Sequence, residues 1–232
     1  MNKIDSIYTQ RPTFGARRMK AQLKRKLGLT VSRKLVRKLM QLMGLEAIYQ
    51  RPNTSKPHPD HKVFPYLLRH ITASYPNHIW GTDITYIKAA GTWFYLTALL
   101  DWYSRYVVNW QLSDRLESDF CVKNLATALA TAKPAYHNSD QGSQFTSRDY
   151  LGQLQAYPDI KISMDGRGRC HDNIFTERLW RTVKYEEVYL RDYSSFADAR
   201  QSLNHFFHDY NTDTPHQSLN YRTPAEMYFG KS

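Results

Sequence analysis

Three carboxylates in this sequence stand where a charge is either costly or well placed to take up a cation. Asp83 lies in the middle of the apolar run WGTDITYI, where strand alternation sets it on the same face as Gly81 and Thr85. A carboxylate inside a central strand is expensive unless it is paired or bound to metal. Asp140 closes YHNSD and is followed by QGSQF, a Gly-containing turn at the C-terminal end of a strand, where α/β sheets usually place ligands. Glu177 lies in NIFTERLWRTVKYE, one helical turn after Asn173 and next to Arg178 and Arg181. Taken singly, a strand-end Asp or a helical Glu is more often a cap, a turn former or a surface charge. If they converge, they supply the oxygen ligands that magnesium prefers. Two such ions about 4 Å apart suffice for phosphoryl transfer, one activating the attacking oxygen and one stabilising the leaving oxygen.

The elements that must position them follow from periodicity. HIWGTDITYIK, WFYLTALLDWY and RYVVNWQLS read as three strands separated by the turn-like AAGT and SR, an antiparallel meander. SDFCVKNLATALATA at 118–132 reads as a helix capped by Ser118, with Phe120, Leu125, Ala128 and Leu129 apolar. A short strand AYHNSD, a helix near SRDYLGQLQAY, a strand KISMD, a GRGR turn and a helix from Asp172 to about Tyr189 complete the order. Three strands followed by alternating helix and strand imply a mixed sheet flanked by helices. SFADARQSLNHFFHDYN at 195–211 is amphipathic, with Phe196, Ala199, Leu203, Phe206 and Phe207 on one side.

All of the excess charge is N-terminal. The formal net charge is +11; residues 1–60 hold 14 Lys/Arg against Asp5, Glu46 and Asp60, and residues 61–232 hold 18 of each sign. Such a segment is the electrostatic signature of a polyanion binder. Within it, RRMKAQLKRKLG places Met19, Leu23 and Leu27 at helical spacing and ends at Gly28. Ser32 then caps RKLVRKLMQLMG, whose apolar face is Leu35, Val36, Leu39, Leu42 and Met43. Two short helices joined by GLTVS fit a helix-turn-helix-like unit, and an ordinary basic helical hairpin fits as well. The candidate DNA-contacting side chains there are Arg17, Arg18, Arg33, Lys34, Arg37 and Lys38. Residues 51–66 hold four prolines, which disfavour helix and ladder alike. The expected domains are a basic helical unit at 1–50, a proline-rich linker at 51–72, a catalytic core at 73–190 and a helical extension at 191–232.

Five motifs taken together resemble a known family. GTDITYI, DWYSRYVVNW, NSDQGSQFTS, DGRGRCHDNIFTERLWRTVKYEEVYL and YNTDTPHQSLNYRTPAEMYFG match, in order and at similar spacing, transposases of the bacterial insertion sequences whose enzyme is fused from two reading frames by frameshifting. The resemblance spans about Thr13 to Gly230 and is that of the second-frame protein. It implies an α/β, ribonuclease H-like core with a mixed five-stranded sheet, in which Asp83, Asp140 and Glu177 hold two magnesium ions (manganese being the alternative), with Asp83 bridging both. The implied reaction is cleavage at the element ends followed by strand transfer into target DNA. The implied partners are terminal repeats, target DNA, an upstream-frame protein or fusion, and further copies in a synaptic complex. One departure is that 36 residues separate Asp140 from Glu177, one more than usual. The extra residue falls in QAYPDI, with Glu186 or Glu187 as the fallback ligand.

Arg178, Arg181 and Lys184 share the Glu177 helix and are candidate phosphate contacts, with a solvated helix face as the bland reading. Trp80 and Trp180 read as core more readily than as base-stacking groups. Gln141, Gly142 and Gln144 either position DNA or build the turn, and Asp101 reads as a hairpin cap. His205 with His208, and His58 with His61, lack the Cys partners of a zinc site. Two cysteines, Cys121 and Cys170, make no disulfide framework, so free thiols in the cytoplasm are expected. No apolar run approaches the roughly 20 residues that span a bilayer. A nuclease that cuts without joining and a non-catalytic DNA-binding remnant are the competing readings.

Overall fold

The computed structural model describes residues 1–48, 62–89, 91–166 and 173–230. The chain divides into two compact units, Met1–Lys56 and Pro57–Ser232.

The first unit holds three helices: α1 (Asn2–Gln10), α2 (Ala16–Leu27) and α3 (Arg33–Leu42). Gly28 closes α2 in the left-handed conformation, and the Ser32 side chain accepts from Leu35 N to cap α3. Helix α1 was not expected, because its polar run carries only Ile4, Ile7 and Tyr8 as apolar anchors. These nevertheless pack with Met19, Leu23, Val36 and Met40. The apolar face of α3 also differs from the expected one: Val36 and Met40 are buried, while Leu35 and Leu42 face outward. A core served by α1 and α2 together needs only one narrow stripe of α3.

In the second unit, strands β1 (Ile79–Ala89), β2 (Thr92–Asp101) and β3 (Val107–Ser113) form the expected antiparallel meander. β4 (Tyr136–Ser139) and β5 (Lys161–Met164) add in parallel, giving the order β3-β2-β1-β4-β5 with β1 central. Alternation along β1 divides its side chains between two cores. Ile79 and Ile87 pack with α6 (Ile174–Glu186) and α7 (Phe196–Thr212), whereas Trp80 and Ile84 pack with α4 (Asp119–Thr131) and α5 (Arg148–Gln155). Residues 167–169 of the GRGR turn and Asp172 lie outside the described residues, as do His58, His61 and Cys170. Ser118 precedes α4 but donates no side-chain cap. Residues 62–72, expected as part of a linker, pack on the core: Leu68 is buried and Leu67 N donates to Ser163 Oγ. A last helix, α8 (Pro224–Phe229), begins with a capping box between Thr223 and Glu226.

Besides its apolar packing on the sheet, helix α7 bonds the backbone of β3 through Asn211. Asn211 Oδ1 accepts from Val107 N at 2.9 Å and its Nδ2 donates to Val107 O at 3.0 Å. Asn211→Ala strands both buried backbone groups and is expected to cost about 2 kcal/mol or more, read as a lower urea midpoint at unchanged slope.

Candidate active site

The parallel pairing of β1 with β4 matches Gly81 to Asn138. Asp140 directly follows β4, and Asp83 lies two residues beyond Gly81 along β1. The face of β1 that carries Asp83 also carries Gly81, and helix α6 lies against it. A Cβ at residue 81 would stand 2.2 Å from Trp102 Nε1 and 2.9 Å from Thr176 Oγ1. Glycine is therefore what lets α6 approach the strand. Two hydrogen bonds then fix the helix: Asn173 Nδ2 donates to Thr82 O at 3.1 Å, and Trp180 Nε1 donates to Asp83 Oδ2 at 3.0 Å. Between these anchors lies Glu177.

The charges of Asp140 and Glu177 both act on Asp83. Burial raises the Asp83 pKa to about 6; the Ile84 N–H and the Trp180 indole oppose this, while the charges of Asp140 and Glu177 add to it. Asp140 reaches the surface, yet surrounding protein still raises its pKa, opposed by the Gly142 N–H that donates to Oδ1 at 2.8 Å. A Cβ on Gly142 would sit 2.8 Å from that same oxygen, so a side chain here would displace the Asp140 carboxylate. Glu177 is exposed. Among the described residues no three acidic, His or Cys side chains are close enough to enclose an ion as they stand.

The other candidates separate clearly. Glu187, a fallback ligand, is buried at the far end of α6, where it accepts from Tyr193 and Ser202 and pairs with Arg191. Asp101 is fully buried and accepts from Asn77 N, Ser104 N and Ser104 Oγ, a turn-building role. Trp80 is core, its indole donating to Asn77 Oδ1. Trp180 holds Asp83. Gln141 Nε2 donates to Asp165 O and Gln144 Nε2 to Leu116 O, both bonds building the loop around Asp140. Cys121 is a buried free thiol whose pKa burial pushes up to about 12. Arg17, Arg18, Arg33, Lys34, Arg37 and Lys38 are all exposed, and four of them, Arg17, Arg18, Arg33 and Arg37, line one concavity of the N-terminal unit. Asp165 was missed. It ends β5 beside Asp140, buried and accepting from Asn138 Nδ2, and only the parallel pairing of two four-residue strands brings it there.

Comparison with known proteins agrees with this architecture. Two integrase core domain models match residues 73–170 and 158–224, and an HTH-like domain model matches residues 1–53. A chain of the simian T-cell lymphotropic virus intasome superposes over 97% of this chain and 74% of its own, with a TM-score of 0.57 at 17% identity. The catalytic core of HTLV-2 integrase, solved with magnesium, superposes over 68% of this chain and 99% of its own, with a TM-score of 0.52 at 18% identity. The fold and the matched domains define an integrase-core protein of the ribonuclease H-like class. Along nearly the whole chain, the relatives are proteins of mobile elements. The Shigella sonnei insertion element IS600 31 kDa protein is 29% identical over 96% of this chain and 84% of its own length. The putative transposase InsK of IS150 from Escherichia coli is 29% identical over 97% and 81%. InsF of IS3fB, also from Escherichia coli, is 32% identical over 60% of this chain and 49% of its own. The chain is thus similar to insertion-sequence transposases over nearly its whole length, and these relatives support transposition and DNA integration as its function.

The raised Asp83 pKa makes stability depend on pH with a definite sign. The folded state binds a proton that the unfolded chain, with a carboxyl near 3.8, releases earlier, so this group weakens the fold as pH rises from about 4 to about 6. In chelator, the melting temperature of the wild type relative to Asp83→Asn is expected to decline across that interval; a pH-independent difference contradicts the assignment. Gly81→Ala is expected to lower the melting temperature and to weaken catalysis by prying α6 from β1, measured by thermal unfolding alongside strand-transfer rate.

Proposed function

We propose that Asp83, Asp140 and Glu177 are the carboxylates that would hold magnesium in this strand transferase. The reading is carried by one observation: a carboxylate in the central strand is held in a partly dry setting with two further carboxylates repelling its charge. Oxygen donors with surplus negative charge suit a hard divalent cation, which keeps several waters and needs only a few protein ligands. Manganese suits the same donors. That they do not enclose an ion as they stand accords with a site in which DNA oxygens and water supply the remaining ligands. When bound, the ions activate the attacking oxygen and stabilise the leaving one.

The chain's own groups have distinct tasks. The Trp180 indole and the Ile84 N–H each bond one Asp83 oxygen, leaving both oxygens a further lone pair and fixing the plane of the carboxylate. The Gly142 N–H holds Asp140 in the same way. Asn173 sets the start of α6 and so the reach of Glu177. Arg178, Arg181 and Lys184 present cations along α6 to the phosphates of the element end. In the N-terminal unit, Arg17, Arg18, Arg33, Lys34, Arg37 and Lys38 hold flanking DNA, a sequence-independent contribution that weakens with salt. The first half of the reaction is hydrolysis of one phosphodiester at each end; the second is in-line attack of the exposed 3′-hydroxyl on target DNA, with no covalent enzyme intermediate. A second copy and an upstream-frame protein, free or fused, complete the synaptic complex.

Labelled element-end duplex incubated with the chain and Mg²⁺ tests this directly. Asp83→Asn, Asp140→Asn and Glu177→Gln are each expected to lower cleavage and joining by about 10³-fold or more while leaving DNA affinity in chelator unchanged. Glu187→Gln is expected to lose stability and to keep its chemistry per folded molecule. Joining retained at the wild-type level in any of the three variants contradicts the assignment.

A further inference from the structure

A cavity of about 680 Å³ opens between α6 and the segment that follows α7, and Glu177 forms part of its wall. Three arginines line it: Arg178 and Arg181 from α6, and Arg105 from the turn between β2 and β3. Arg105 is the unusual member. Its backbone lies in the left-handed region, at φ 64°, which a non-glycine residue adopts only when its surroundings demand it. Its guanidinium carbon stands 3.6 Å from the centre of the Phe175 ring, and one of its amino groups is buried without a partner. Asp101, four residues earlier, already accepts three hydrogen bonds from Asn77 and Ser104. Among the described residues, no carboxylate lies within ion-pair distance of any of the three arginines.

The opposite wall responds to these charges. The His216 pKa is lowered by burial and then by Arg105 and Arg178, so the ring is neutral near pH 7, and its Nε2 is buried without a partner. Burial raises the Tyr210 pKa; Arg105 and Arg178 oppose the rise, and the charge of Glu186 adds to it. Arg105 and Arg178 therefore act on one space from two separate elements. Glu177 and Glu186 also line the cavity and Asp101 partly offsets the charge of Arg105, so it is the buried Arg105 amino group without a partner that is left to donate to an entering anion. The guanidinium plane stacked on Phe175 is also pre-organised for two parallel hydrogen bonds to phosphate oxygens.

We propose that this cavity seats one backbone phosphate of the DNA strand, held by Arg105 and Arg178, and thereby fixes that strand beside Glu177. Arg105 is a positioning residue. The proposal rests on reading Glu177 as an active-site carboxylate, but its test reads binding in chelator and not catalysis, so either reading can fail without the other.

The test is fluorescence anisotropy of a labelled, 3′-recessed duplex of the element's terminal sequence, titrated with the full chain in chelator over a salt series. Arg105→Gln and Arg178→Gln are each expected to weaken binding about tenfold and to lower the salt slope by about one. A single uncharged methylphosphonate, moved along the strand, is expected to reproduce that loss at one position in the wild type and to cost nothing there in Arg105→Gln. A merely structural arginine gives no such positional cancellation. Wild-type affinity and slope in Arg105→Gln overturn the proposal, as do methylphosphonate losses that persist at every position in that variant, or a wild type that binds no duplex at low salt. If Arg105→Gln melts well below the wild type, Arg178→Gln, on the exposed face of α6, carries the same comparison.

Discussion

The structure turns on a charge placed where a strand would ordinarily carry an apolar residue. Asp83 occupies the central strand of a five-stranded sheet, and burial alone makes its ionised form costly. Its neighbours do not remove the cost. Two N–H groups bond its oxygens, but the charges of two further carboxylates act against ionisation. A fold optimised only for stability would replace Asp83 with an isosteric polar group or with valine. Its retention among like charges is intelligible if the site exists to hold cations.

Much of the surrounding architecture serves that one strand. Gly81 gives up a side chain so that α6 can lie against β1, and Trp102 and Thr176 fill the space so opened. Asn173 and Trp180, seven residues apart on α6, each reach back to β1 and bracket Glu177. On the far side, α4 and α5 bury Trp80 and Leu99 against the opposite face of the sheet, so β1 cannot shift without disturbing both cores. Elements on both faces thus fix β1 and with it Asp83, a rigidity that strand transfer would need if positioning contributes most of the catalysis.

Sequence periodicity revealed most of the sheet, because each strand of the meander is long and bounded by turn residues. It also placed Asp83 and Asp140 correctly at the middle and end of their strands. Helix α1 escaped notice because its stripe, Ile4, Ile7 and Tyr8, is short and its remaining residues are polar. Leu35 and Leu42 were misassigned to the buried face since helical spacing gives a stripe's width and not which edge of it meets a neighbour. Asp165 and Arg105 were harder still. Each reaches its site through a pairing or a turn between segments distant in the chain, and neither carries a local pattern that says so. Arg105 sits within DWYSR, where the sequence singles out only the Asp, as a cap.

On the proposed reading the N-terminal unit offers a basic helical surface for holding DNA and the core an acidic centre for reacting with it. The acidic centre makes the sharpest claim. Calorimetric titration of the full chain with Mg²⁺ at pH 6, repeated in buffers of different protonation enthalpy, counts the ions bound and the protons displaced. The account predicts cation uptake accompanied by proton release, because Asp83 is about half protonated there, and loss of both in Asp83→Asn. Uptake undiminished in Asp83→Asn would contradict it.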